Sequence, residues 1–122
     1  MNKKRPVNLD LTTFHYPPMA IVSILHRISG VVLFMFLPFL LYLLGQSLSS
    51  PLQFAQVLAP GWPVKGLIWV YLAALSYHCI AGFRHLIMDL GFGDTPSQGR
   101  CSAYIVLVLF VIVAVFLGVS LW

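Results

Sequence analysis

The run VVLFMFLPFLLYLL, residues 31–44, contains no polar side chain except the Tyr42 hydroxyl. Together with its approach from Met19, which holds Ser23, His26, Arg27 and Ser29, it is long enough to cross the hydrocarbon core of a bilayer, a distance of about 20 helical residues. Two further apolar runs follow, from Gly66 to about Met88 and from Ser102 to Trp122, the last ending on a residue suited to the interfacial belt. The chain is 60% hydrophobic and 8% charged, with mean hydropathy +0.93. A soluble domain carries about a quarter charged residues, so no water-facing surface can be built from this sequence. The expected fold is an all-α membrane protein with three transmembrane helices, over about 20–44, 66–89 and 102–122. They form one membrane domain, 20–122, behind an N-terminal arm, 1–19.

The connecting segments set the topology. The arm opens with Lys3, Lys4 and Arg5 and closes with Pro17 and Pro18, which forbid a helix running through that point. Segment 45–64 has no charge, and its Gly45, Pro51, Pro60, Gly61 and Pro63 break helical periodicity. It reads as a loop with a short helix around 52–58. Residues 91–100 form a polar turn, and the flanking stretch carries Arg84 and Arg100. Short-loop positives mark the cytoplasmic side, so the N-terminus is expected to be cytoplasmic and the C-terminus periplasmic. Pro38, inside the first span, is expected to kink it.

The +4 net charge therefore reads as topology, and with no basic stripe interleaved with aromatics, nucleic acid is excluded as a partner. Cys79 and Cys101 fit neither a metal-ligand spacing nor a covalent haem-attachment motif. The absence of an Arg/Ser-rich leader favours a bacterial inner membrane over a mitochondrion.

The chemistry concentrates in HCIAGFRHLIMDLG, residues 78–91. On a helix, His78, Gly82, His85 and Asp89 share one face, and Ala74 lies one turn before His78. Small residues on both sides leave a flat space beside the imidazole, which suits a haem. Counted from Asp89 at the helix end, His78 lies about 16 Å deep and His85 about 6 Å. Ser23, His26, Arg27 and Gly30 fall within an arc of about 100° on the first span. They are placed at the level of His85 and Asp89, above the deep histidine.

Ionisable groups within spans are costly and usually functional. His78 has two readings: a neutral histidine bonded to a neighbouring helix, or a haem ligand with its propionates gripped by Arg27 and His85. On the second reading the other histidines are too shallow to ligate the far side of the iron. Its sixth ligand comes from a partner subunit, or from a methionine such as Met35. Asp89 opposes the helix dipole at its position, and reads either as a pair with His85 or as a proton donor. Arg27 with Ser23 offers a cation and a hydroxyl to a quinone carbonyl, or is an arginine snorkelling at the membrane edge. Tyr77 and Trp69 read as packing or lipid contacts, and His15 as solvated.

The segments RPVNLDL (5–11) and SILHRISG (23–30), followed by the 78–91 motif, resemble the cytochrome b anchor subunits of succinate dehydrogenase, in order and over essentially the whole chain. The resemblance implies a four-chain complex with a flavoprotein, an iron–sulfur protein and a second three-helix anchor. It implies His78 as an axial ligand of haem b, with the other ligand from the sister anchor, and His26, Arg27 and His85 on the propionate side. Ser23 and Arg27 would form this chain's part of a ubiquinone site, with Asp89 as the acidic residue beside it. FAD and the iron–sulfur clusters would sit only on partner subunits, and the chain alone would catalyse nothing. The alternative is a haem-free structural anchor or a small proton- or ion-translocating subunit.

Overall fold

The computed structural model describes residues 10, 15–93 and 95–122; most of the expected arm lies outside them. Four helices follow one another: α1 (Pro18–Ser49), α2 (Pro51–Leu58), α3 (Trp62–Asp89) and α4 (Pro96–Leu121). Three of them, α1, α3 and α4, are long and apolar enough to cross a membrane.

Every helix has a proline in its first turn. There the missing N–H costs nothing and the fixed φ is already helical. No helix runs through Pro17, as expected, and Pro18 starts α1. Two other expected ends are corrected. Pro96 starts α4 six residues before the expected third span, with the Thr95 hydroxyl accepting from Gln98 N at 3.4 Å. Gly45 does not end α1, which runs on to Ser49, where the Ser47 and Ser49 hydroxyls donate back to the carbonyls of Leu44 and Gly45. The short helix is where it was expected, capped by Ser50, whose hydroxyl accepts from Gln53 N at 3.1 Å.

α3 ends in a paired-bond cap. Gly91, at φ +85°, donates to Met88 O, and Phe92 donates to Ile87 O. The left-handed turn needs a residue without a Cβ, so Gly91 stops the helix just past Asp89.

α3 lies between the other two spans and packs against both. Its C-terminal half meets the N-terminal halves of α1 and α4, as the Tyr77 and Arg84 bonds below establish, so α3 runs antiparallel to both. The buried cluster of Val22, Tyr77, Ala81, Ala103 and Val106 gathers at that same end. Alanine dominates the buried positions, with Ala73 and Ala114 continuing the series. Lipid tails are as apolar as leucine, so helices in a bilayer gain by close backbone approach rather than by hiding large side chains. The large apolar residues accordingly face outward, among them Phe34, Leu48, Phe83 and Val119.

Candidate functional site

His78 projects from the middle of α3 onto the backbone of α1. Its Nδ1 lies 3.0 Å from Ser29 Oγ and 3.2 Å from His26 O. The Ser29 hydroxyl gives its own proton to His26 O at 2.7 Å. With that proton committed, Ser29 Oγ can only accept from the ring, and the carbonyl accepts in any case. Both neighbours therefore require Nδ1–H, and the lone pair lies on Nε2. A metal-ligating histidine has the same form: the second nitrogen donates to a carbonyl or hydroxyl, fixing tautomer and ring direction. The donor set fits a haem iron, and His78 is the residue that would hold it.

His26 is stacked on His78, with ring centroids 4.2 Å apart and planes 18° from parallel. The His85 ring adds a tilted contact at 5.2 Å from His26. His26 lies about one turn above His78, between it and His85: its Nε2 is beside Gly82, whereas His78 is beside Gly30. His26 is eight residues, about 12 Å, inside α1. The stack does not make His26 a second axial ligand, because ligands on opposite faces of one iron point at each other and do not lie face to face. The three rings also form no cage for a bare ion: no group of three or more His, Cys or Asp side chains among the described residues could hold a metal.

The glycines act differently from expectation too. A Cβ on Gly82 would come 3.2 Å from His26 Nε2, and one on Gly30 would come 3.2 Å from His78 Cε1. The space beside Gly82 is thus filled by the His26 ring, and His78 rests on Gly30. Each glycine admits an imidazole from the facing helix.

Ser23 is half-buried and Arg27 exposed, one turn apart on α1 and flanking His26 in sequence. Asp89 is the exposed last residue of α3, one turn beyond His85. Met35 is 69% exposed and about half a helical turn round α1 from His26, which removes it from the face that meets His78. His15 and both cysteines are exposed.

Two polar residues matter more than the sequence suggested. Ser29, only 6% exposed, orients His78; its clue was a hydroxyl three residues after a histidine in an otherwise apolar span. Arg84, also 6% exposed, gives Nε to Ser102 Oγ at 2.9 Å and Nη2 to Gly99 O at 3.2 Å, joining α3 to α4. Tyr77 is more than a packing residue: its hydroxyl donates to Val22 O at 3.0 Å, joining α3 to α1. Trp69 Nε1 similarly donates to Ala114 O at 2.9 Å.

A three-span membrane subunit with an imidazole stack between two of its helices is the class that fold and site define. Residues 1–118 match the family described as succinate dehydrogenase/fumarate reductase transmembrane subunit. The chain is 51% identical to the succinate dehydrogenase cytochrome b556 subunit of Coxiella burnetii, over the full length of both. It is 32% identical to the cytochrome b556 subunit of Paracoccus denitrificans, over 91% of this chain and 87% of that protein. Identity to the cytochrome b560 subunit of Marchantia polymorpha is 34%, over 88% and 83%. The chain belongs to the succinate dehydrogenase/fumarate reductase transmembrane subunit family. It is a multi-pass inner-membrane protein of the bacterial type and a membrane anchor of succinate dehydrogenase.

Proposed function

We propose that this anchor binds haem b through His78, shared with a second three-helix anchor subunit that would supply a further ligand, and that it forms part of the site where ubiquinone is reduced. The observation that carries the haem is the fixed tautomer of His78, with Nδ1–H held by Ser29 and His26 O and Nε2 left as a base. The relatives' cytochrome b556 and b560 names support the same reading. When bound, haem supplies a one-electron store beside the quinone site. His78 would hold it, and Arg27, His26 and His85 would meet its propionates, as cation and N–H donors meet carboxylates.

The quinone end belongs to Ser23 and Arg27. The hydroxyl donates to one carbonyl oxygen, and the guanidinium offsets the negative charge that gathers there as electrons arrive. Asp89, exposed at the end of α3, is placed to pass protons from the aqueous side. Succinate loses two electrons and two protons on the flavoprotein; the electrons pass through the iron–sulfur subunit, and quinone takes up two of each to become quinol. The polar end of the bundle then faces the cytoplasm, where the soluble subunits dock, with the N-terminus inside and the C-terminus periplasmic.

The absorption spectrum of the purified complex tests the haem. A b-type band is expected in the native protein and lost in His78→Ala; a band unchanged in that variant removes His78 as a ligand. For the quinone, Ser23→Ala is expected to slow quinone reduction while succinate oxidation by artificial dyes persists. Equal loss of both points to failed assembly. The competing reading, a haem-free anchor or proton-carrying subunit, draws on the His26–His78 stack, which fills the space beside Gly82 with an imidazole. It requires a native complex with no b-type band.

A further inference from the structure

On the other side of α3 from the imidazoles, a groove of about 260 Å³ opens between α3 and α4. Phe83, Ile87, Ile105 and Leu109 form apolar walls, and Arg84 and Ser102 bring the polar atoms. Arg84 is an unusual residue to find there. It is 6% exposed, its Nε and Nη2 are bonded to neutral oxygens of Ser102 and Gly99, and no carboxylate among the described residues meets it. Nη1 makes no hydrogen bond with the described residues. Yet no side-chain nitrogen or oxygen among them is both walled off and unbonded. Arg84 lines the groove, so its guanidinium borders the open space.

Among the described residues this guanidinium is bonded only to neutral partners, and a buried cation keeps its full charge in a medium of low dielectric, which is costly without an anion. The carboxylate nearest in sequence, Asp89, is exposed and lies about 140° round α3 from Arg84. Arg84 is five residues, about 7.5 Å, inside the end of α3. The headgroup layer of a bilayer is about 5–8 Å thick. With Asp89 at the water boundary, Nη1 sits where the glycerol phosphates meet the hydrocarbon, and the groove runs on along the chains.

We propose that this groove seats one anionic phospholipid, an acyl chain along the apolar walls and the phosphate on Arg84. The site is independent of the imidazole cluster and of any haem. Charge complementarity selects the occupant: the guanidinium fork matches phosphate oxygens, and a net-negative lipid neutralises the cation, whereas a zwitterion brings its own.

The test uses the protein in the assembly purified from its membrane, delipidated and then equilibrated with mixed micelles of phosphatidylglycerol and phosphatidylcholine. Retained lipid is counted by native mass spectrometry. One phosphatidylglycerol per chain is expected, favoured over phosphatidylcholine by about tenfold, with that preference lost in Arg84→Gln. Should Arg84→Gln fail to assemble, Ile105→Trp decides, because it fills the groove and leaves the Arg84 bonds intact; it too is expected to shed the lipid. Equal retention of both lipids by the native protein overturns the proposal and makes the groove a neutral apolar slot. Phosphatidylglycerol retained undiminished by Ile105→Trp overturns it as well, by placing the lipid elsewhere.

Discussion

The two interfaces of α3 use polar side chains in opposite ways. Toward α4, the polar groups end on backbone carbonyls or structural hydroxyls: Arg84 on Gly99 O and Ser102, Trp69 on Ala114 O, and Lys65 on Leu121 O at 2.9 Å. They hold the two helices from the imidazole level to the far end. Toward α1, Tyr77 makes one such bond, but the rest of the contact is a stack of imidazoles lodged against glycines, with His78 bonded through one nitrogen only among the described residues. Hydrogen bonds in lipid are formed because the alternative is an unsatisfied group, so bonds that tie one helix to the carbonyls and hydroxyls of another serve the fold. A nitrogen left with a free lone pair in that setting is available for a ligand. The α3–α4 face is thus the frame, and the α1–α3 face is the site that the frame holds still.

The comparison breaks first at His78. Replacing it with alanine is expected to abolish the b-type band of the complex while the helices remain assembled, because the α3–α4 bonds do not involve it. Pull-down of the partner subunits alongside the spectrum checks both halves. Arg84→Met is the opposite case: it removes two charge-assisted bonds from the frame, for a loss of about 2–4 kcal/mol in resistance to unfolding in detergent. Its b-type band is expected to stay at its native wavelength in the fraction that folds. A band that moves in Arg84→Met with unchanged stability would make the two interfaces one unit.

The sequence made the frame legible in outline and the site legible in membership. Three spans followed from composition alone, because the lengths of apolar runs are set by the bilayer. The helix ends differ from expectation at Gly45 and Pro96, where the same residue types that break a helix also sit within one or begin one. The stack of His26 on His78 is encoded in neither helix alone, because it depends on how α1 and α3 meet. Gly82 illustrates the limit of reading one helix at a time. Its small size does leave space, but what fills that space depends on the register of α1 against α3, which no spacing within α3 encodes. Arg84 was hidden for a related reason. In a chain it counts as one topological positive, and only the fold shows it turned inward onto Gly99.

Ser29 sharpens the comparison by testing orientation apart from ligation. Ser29→Ala removes the closer acceptor from Nδ1 and leaves His26 O at 3.2 Å, so the tautomer survives with a looser ring. Haem retention on dilution or competition is expected to fall about tenfold, the usual cost of removing an outer partner of a metal-bound histidine. Ser29→Thr keeps the hydroxyl and is expected to restore most of it. Loss of the band as complete as in His78→Ala would mean that Ser29 holds the fold rather than the ring.

The smallest effect belongs to Lys65. Its ammonium reaches across from the start of α3 to the last carbonyls of α4, a helix with no basic residue in its own final turn. A cation there complements the helix dipole, worth about 0.3–1 kcal/mol where the pair is exposed. Lys65→Met is accordingly expected to lower the detergent unfolding midpoint by a degree or two at most, and to leave both the spectrum and quinone reduction untouched. Trp69 and Ala114 lie inward of it on the same two helices and keep the helices joined when the lysine is lost. A larger fall would show that this end of the frame is held at its tip, and that the bond from Trp69 depends on the lysine outside it.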